Sequence, residues 1–293
     1  MRTLLSVLLP WLAGLTLHPA TGPAVHVPLP ASHASSVRLL GPAAGGGWVL
    51  TDRRGDRALV LLLRGGRLRT VRSVDDPQGG TSFRLSSDGR RVVEVDAPTT
   101  ARTDVWTFGT TGRDVAHLRL PGWAELLGYD GRTVVLGRSG RTLGWRARSP
   151  AYVVDRLGAV AVDQASDVLF TFDPKAATYG PTSLARPGPQ RWSLPSTDFF
   201  PRSVSPDGQL VAGLAGDPDH VQVRRMTDGS LISDWERHLA FERPLVWADA
   251  DHVVSVLRTR SGWAPLRCTL GGECVRAADL SRDPVSLPFQ LAP

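Results

Sequence analysis

A sharp turn recurs along this chain at a spacing close to forty residues, and each time a short β-rich run follows it. The turn is anchored at Gly46, Gly89, Gly131, Asp167, Gly208 and Asp251. The runs that follow read "WVL", "RVVEV", "RTVVLG", "DVLFTF", "QLVAGL" and "HVVSVL". Valine, leucine, phenylalanine and threonine at this density suit a pleated, half-buried surface, and no long helical periodicity competes with them. A forty-residue unit has room for four strands of about five or six residues joined by connections of about four. Small sheets of this kind hide their apolar faces only by packing on one another, and a period of forty to fifty residues marks a β-propeller. The fold expected is all-β, a six-bladed β-propeller of four-stranded antiparallel blades.

The second unit is the easiest to parse. "TSFRLS" is its inner strand, "RRVVEVD" its second, "DVWTFGT" its third and "DVAHLRL" its fourth. The turn recurs because each blade folds back sharply from its inner strand. An aspartate caps that turn by accepting hydrogen bonds from its own backbone, and a glycine takes the positive φ without a Cβ clash. Pro206 presets φ in the most regular copy. On this reading Asp88, Asp130 and Asp207 are structural, not catalytic.

"SVSPDGQLVAG", from Ser203 to Gly213, and "RLSSDGRRVVEV", from Arg84 to Val95, resemble the repeat of TolB-like, WD-repeat-related bacterial propellers. The likeness covers six loose units from about Val37 to Leu280, with one intact copy at Ser205–Gly208. The resemblance implies a propeller and a partner-binding role. It carries over no catalytic residue, because the motif contains none.

The chain opens with a targeting signal. Arg2 is followed by an apolar stretch from Leu4 to Leu17, broken by Ser6 and Thr16, and then by small residues up to Gly22-Pro23-Ala24. The stretch is shorter than the ~20 residues that span a bilayer. A cleaved secretory signal is expected over residues 1–24, with a single propeller domain over 25–293 and no transmembrane span in the mature chain. The expected location is secreted or extracytoplasmic, in the cell envelope.

The two cysteines, Cys268 and Cys274, flank "TLGGE". Gly271-Gly272 is a hairpin signal that sets the cysteines facing each other across neighbouring strands. A disulfide is expected in an oxidising compartment. The histidines are scattered and give no metal-ligand spacing, so no metal or cofactor is expected. The acidic pairs Asp217/Asp219 and Asp249/Asp251 read as solvated turn acids, with Ca²⁺ binding as the alternative.

The formal net charge is +6, and Lys175 is the single lysine. So diffuse a positive charge gives weak attraction to polyanions and lacks the dense patch of a nucleic-acid reader. Two basic features stand out. Arg38, Arg84, Glu125, Arg202 and Arg243 all lie just upstream of a turn, on the inner strands that line the axial channel. They form a candidate anion-binding set at the channel mouth, because guanidinium forks match carboxylate and phosphate. The simpler reading is that channel-facing positions are wet and polar. The second feature is the run of seven arginines from Arg53 to Arg72. It reads as a charged edge that prevents sheet-to-sheet aggregation, or as a docking patch for an acidic surface. Most tryptophans should pack between blades; Trp123 or Trp247 at the rim would stack a sugar or peptide.

The chain has no Gly-x-Ser-x-Gly elbow, zinc helix or phosphate loop. The leading functional reading is an exported, monomeric scaffold that binds a protein or an anionic cell-envelope component, and no specific nucleic acid. The alternatives are a secreted propeller enzyme, lactonase- or cyclase-like, and a small-ligand sensor. The Pro-rich ends, Ala24–Pro30 and Pro284–Leu291, are expected to latch the ring by completing one blade between them.

Overall fold

The computed structural model describes residues 14–17, 25–28, 37–215, 220–235, 241–259 and 262–276. The described residues hold strands and turns and no α-helix; none of their segments is a helix long and apolar enough to cross a membrane.

Strands β1 (Gly14–Leu17) and β2 (Val25–Pro28) pair only with each other. The first blade is β3 (Arg38–Pro42), β4 (Trp48–Arg54), β5 (Arg57–Arg64) and β6 (Arg67–Asp75). The second is β7 (Thr81–Leu85), β8 (Arg91–Thr99), β9 (Arg102–Gly109) and β10 (Ala116–Pro121). The third is β11 (Glu125–Tyr129), β12 (Thr133–Arg138), β13 (Arg141–Arg146) and β14 (Tyr152–Asp155). The fourth is β15 (Gly158–Asp163), β16 (Val168–Asp173), β17 (Thr178–Ser183) and β18 (Leu194–Pro195). The fifth is β19 (Phe200–Val204), β20 (Leu210–Ala215), β21 (His220–Arg225) and β22 (Leu231–Trp235). The sixth is β23 (Phe241–Trp247), β24 (His252–Thr259), β25 (Gly262–Thr269) and β26 (Cys274–Arg276).

Each blade is an antiparallel meander of four consecutive strands, and the inner strands β3, β7, β11, β15, β19 and β23 lie side by side in chain order. This is the six-bladed propeller that the repeat implies. One expectation is corrected. Every blade closes with its own four strands, so β2 completes none of them and pairs with β1 instead. The other end of the expected latch, Pro284–Leu291, lies outside the described residues.

The cores sit between the sheets. Val93, Val95 and Val105 of the second blade meet Leu136, Leu143 and Trp145 of the third. Val49 and Val60 of the first meet Val92 and Phe108 of the second. Similar clusters join the third blade to the fourth, the fourth to the fifth and the fifth to the sixth. A second strand such as β8 is therefore covered on both faces. That is why "VVEV" and "VVLG" read as continuous buried runs instead of alternating ones.

The turns behave as their chemistry requires. Ser86 Oγ donates to Asp88 Oδ1 at 2.6 Å, and that oxygen accepts Arg90 N–H at 3.0 Å. Ser205, Asp207 and Gln209 N–H repeat the arrangement at 2.5 and 3.1 Å. Asp130 accepts the N–H groups of Arg132 and Thr133. Where the Asp-Gly pair is missing, the cap moves upstream: Asp163 accepts from Ala165 and Ser166, and Asp249 from Asp251.

The turn glycine has a second duty. Gly89 has φ +66°, and a Cβ placed on it would lie 2.4 Å from the carbonyl oxygen of Pro42 in the preceding blade. The same rim continues around the ring, with Gly131 against Ser86 and Gly208 against Ser166.

Candidate functional site

The five charged residues singled out in the sequence all lie on inner strands: Arg38 on β3, Arg84 on β7, Glu125 on β11, Arg202 on β19 and Arg243 on β23. Their depths differ. Arg84 is one residue from the turn end of its strand and Arg202 two, whereas Arg38, Glu125 and Arg243 are four. At about 3.3 Å per residue the attachment points spread over roughly 10 Å of channel depth. The charges form a staggered set, not a level ring.

Arg84 is half-buried on β7. Burial pulls its guanidinium below its ordinary pKa, and the Glu125 carboxylate on the neighbouring inner strand pulls the other way. The side chain still keeps part of its contact with solvent. Arg202 is placed by a bulge. In β3, β11, β15 and β19 one residue falls out of register with the second strand: Leu40, Leu127, Val160 and Arg202. A bulge re-aims its side chain. Leu40, Leu127 and Val160 turn into apolar clusters. Arg202 instead lays its guanidinium over the Phe200 ring, 4.1 Å from the centroid. Tyr179 meets that ring edge-on at 5.1 Å, and the charge of Arg202 bears on its phenol. Arg38 is exposed at the first position of its strand, and the side chain of Arg243 lies outside the described residues. The structure therefore puts Arg84 within electrostatic reach of Glu125 on the next inner strand and braces Arg202 separately.

The arginine run of the first blade is occupied internally. Arg53 pairs with Asp76 at 2.6 Å, Arg54 with Asp52 at 2.7 Å and Arg57 with Asp75 at 3.5 Å. Arg72 pairs with Glu94. Arg64 caps the carbonyls of Gly46 and Ala44, and Arg69 reaches that of Thr110. Six of the seven thus have a partner within the protein, which favours the charged-edge reading.

A charged and aromatic row across the second blade has no counterpart in the sequence reading. Register sets Phe83, Glu94, Trp106 and His117 side by side on four strands. Trp106 stacks on His117 at 3.8 Å, and His117 Nε2 lies 2.8 Å from Asp104 Oδ1. Arg102 and Arg119 also pair with Asp104, each at 2.9 Å. The one sequence signal was an acid, Glu94, in the middle of an apolar strand. Its partner, Arg72, belongs to another blade.

Trp123 is about half exposed at the rim, as expected, but Trp247 is not there. It is 4 % exposed, packs between the fifth and sixth blades, and donates Nε1–H to Ser203 O at 3.1 Å. Cys268 and Cys274 are paired in register and disulfide-bonded, with 4.0 Å between Cα atoms. No group of His, Cys, Asp and Glu that could hold a metal occurs among the described residues. Asp249 is held by His252 and Arg267, and Asp217/Asp219 lie outside the described residues.

No family model matches the sequence, and no curated protein matches it either. Solved structures do match the fold. A functionally unknown protein from Desulfotomaculum acetoxidans superposes with a TM-score of 0.61 at 11% identity, over 92% of this chain and 93% of that one. A chain of the Mitotic Checkpoint Complex gives 0.61 at 12% identity, over 83% and 79%. Hsv2 of Kluyveromyces lactis gives 0.52 at 12% identity, over 80% and 75%. Hsv2 is a β-propeller and the checkpoint chain a WD40 one. At these identities the likeness is one of fold, and the fold is the β-propeller.

Proposed function

We propose that this chain is an exported propeller scaffold that holds a protein or an anionic cell-envelope component at the mouth of its axial channel. The observation that carries this reading is the placement of Arg84. Burial lowers its pKa, it stays partly open to solvent, and the charge of Glu125 acts on it. A half-buried guanidinium has less water to give up and suits a carboxylate or phosphate. Arg202, braced on Phe200, places a second guanidinium on an inner strand.

Binding is favoured over catalysis by the use made of the turn acids. Asp88, Asp130 and Asp207 are committed to hydrogen bonds within their own turns. The resemblance of these turns to TolB-like propellers supports a partner-binding role, as does the likeness of fold to a chain found in a multi-protein complex. Export rests on the basic and then apolar segment at residues 1–24.

Calorimetric titration with a short anionic peptide and an oligosaccharide of uronic acids tests the reading. The expected result is binding by the wild type and at least tenfold weaker binding by Arg84→Ala and Arg202→Ala, about 1.4 kcal/mol each. Affinity unchanged in both variants, or no binding by the wild type, would overturn the anion site. A pull-down from envelope extract, comparing wild type with Arg84→Ala, tests the partner directly.

A further inference from the structure

The outer strand of the third blade differs from the other five. Tyr152 and Val153 of β14 are 42% and 53% exposed, and no other outer strand has two adjacent exposed large apolar side chains among the described residues. In three other blades the edge is guarded. Strand β6 carries Arg67, Arg69 and Arg72, β18 is two residues long, and β26 is tied down by the disulfide. Charged residues on outer strands are the usual defence against added strands. Within β14 the sole charged residue is Asp155, whose carboxylate turns back to accept Leu157 N–H at 2.9 Å.

The strand is held ready. The ring of Tyr152 covers Gly144 of β13; a Cβ there would sit 2.5 Å from Tyr152 Cζ. The buried Trp145 donates Nε1–H to Ser149 O at 3.0 Å and fixes the preceding turn, in which Arg148 takes a left-handed φ of 65°. That turn displays Arg146 and Arg148 at one end of the edge, and Arg156 is displayed at the other. All three are exposed, and none joins an ion pair among the described residues.

We propose that β14 receives, by strand addition, an extended segment of another protein that alternates acidic and apolar residues. The outer backbone edge supplies N–H and C=O groups for a ladder, Tyr152 and Val153 supply a contact on each face, and the arginines bracket the ends. The charges choose the occupant. A second copy of this chain would bring like arginines together at both ends. A free polyanion would meet the arginines and leave the apolar edge bare.

The test uses a ten-residue peptide alternating glutamate and valine, titrated by fluorescence anisotropy against the full chain carrying Arg84→Ala and Arg202→Ala. That background removes the channel mouth, so failure here and failure of the scaffold reading are separable. The expected result is binding that falls at least tenfold with Val153→Lys and, independently, with Arg148→Glu/Arg156→Glu. The amides of residues 152–154 should also exchange more slowly in the complex. Val153 is exposed, so an unchanged melting temperature verifies folding. Binding indifferent to Val153→Lys, or no gain in amide protection, overturns the proposal. So does a dimer abolished by Val153→Lys. Binding of polyphosphate or phosphatidylglycerol vesicles that needs the arginines but not Val153, without peptide binding, overturns it in favour of a polyanion surface.

Discussion

Arg72 of β6 and Glu94 of β8 join the first blade to the second through a charge pair that lies against aromatic rings. Glu94 is 1% exposed. Arg72 donates Nη2–H to Glu94 Oε1 at 3.1 Å and Nε–H to Oε2. The guanidinium carbon lies 4.8 Å from the Trp106 centroid and 5.2 Å from that of Phe108. Neither sheet alone could bury either charge without a partner.

Breaking this pair from one side should be costly and removing it whole should not. Glu94→Ala leaves a guanidinium uncompensated at the blade interface and is expected to destabilise by about 3 kcal/mol. Arg72→Met/Glu94→Met should recover most of that loss. Urea unfolding of both single variants and the double variant measures the coupling. Additive losses would mean the residues do not act as a pair.

The same face of the second blade should show two opposite pH effects. Burial alone would raise Asp104, but hydrogen bonds from Arg119 and His117, with the charges of Arg119 and Arg102, bring it below its ordinary value. Its stabilisation is therefore present above the unfolded value of about 3.9 and lost as pH falls through the lowered folded value. Glu94 runs the other way: burial raises it and outweighs Arg72. Folding is favoured while Glu94 is protonated, and this advantage is lost as pH rises from about 4.3 through the raised folded value. Melting temperatures followed across the acid range should show Asp104→Asn flattening the loss at low pH. Glu94→Gln should flatten the decline on the higher side.

The turn glycines should separate backbone strain from contact between blades. Gly140 has φ +69° with open space around it. Gly140→Ala should cost roughly 1–2 kcal/mol, the left-handed penalty alone. Gly89 has φ +66° and also faces Pro42 O at 2.4 Å and Ala44 N at 2.8 Å. Gly89→Ala should cost a further 1–3 kcal/mol or so, because the first blade has to shift. Equal losses in chemical denaturation would show that the rim contact is soft.

The disulfide closes a short hairpin, so its effect should be modest. Loop entropy gives about 2 kcal/mol for Cys268–Cys274. Cys268→Ser/Cys274→Ser should lower the denaturation midpoint accordingly and remove the difference between melts with and without reductant. A drop several times larger would mean that the sixth blade depends on the bond to form.

Much of the fold was legible because turn chemistry is local. Ser86-Ser87-Asp88-Gly89 and Ser205-Pro206-Asp207-Gly208 satisfy themselves within a few residues, and the runs that follow them are too apolar to be anything but buried strands. The site was less legible. The sequence marks Arg84 and Glu125 as inner-strand charges, but the effect of one charge on the other depends on how two blades abut. Trp247 was misplaced at the rim for the same reason: a tryptophan beside a turn looks much the same whether it faces solvent or the next blade. Glu94 and Arg72 gave no pairing signal at all, because nothing local relates them.

By itself the sequence determined the repeat, the strands, the turn caps and the facing cysteines, since each depends on residues within one hairpin's reach. The tertiary structure alone decided where the charges go. The bulge in β19 re-aims Arg202 onto Phe200, while its register equivalents Leu40, Leu127 and Val160 enter apolar clusters. The physical reason is that a propeller buries its surface between sheets, so the surroundings of an inner-strand side chain depend on strand register and on how the next blade, remote in sequence, packs against it.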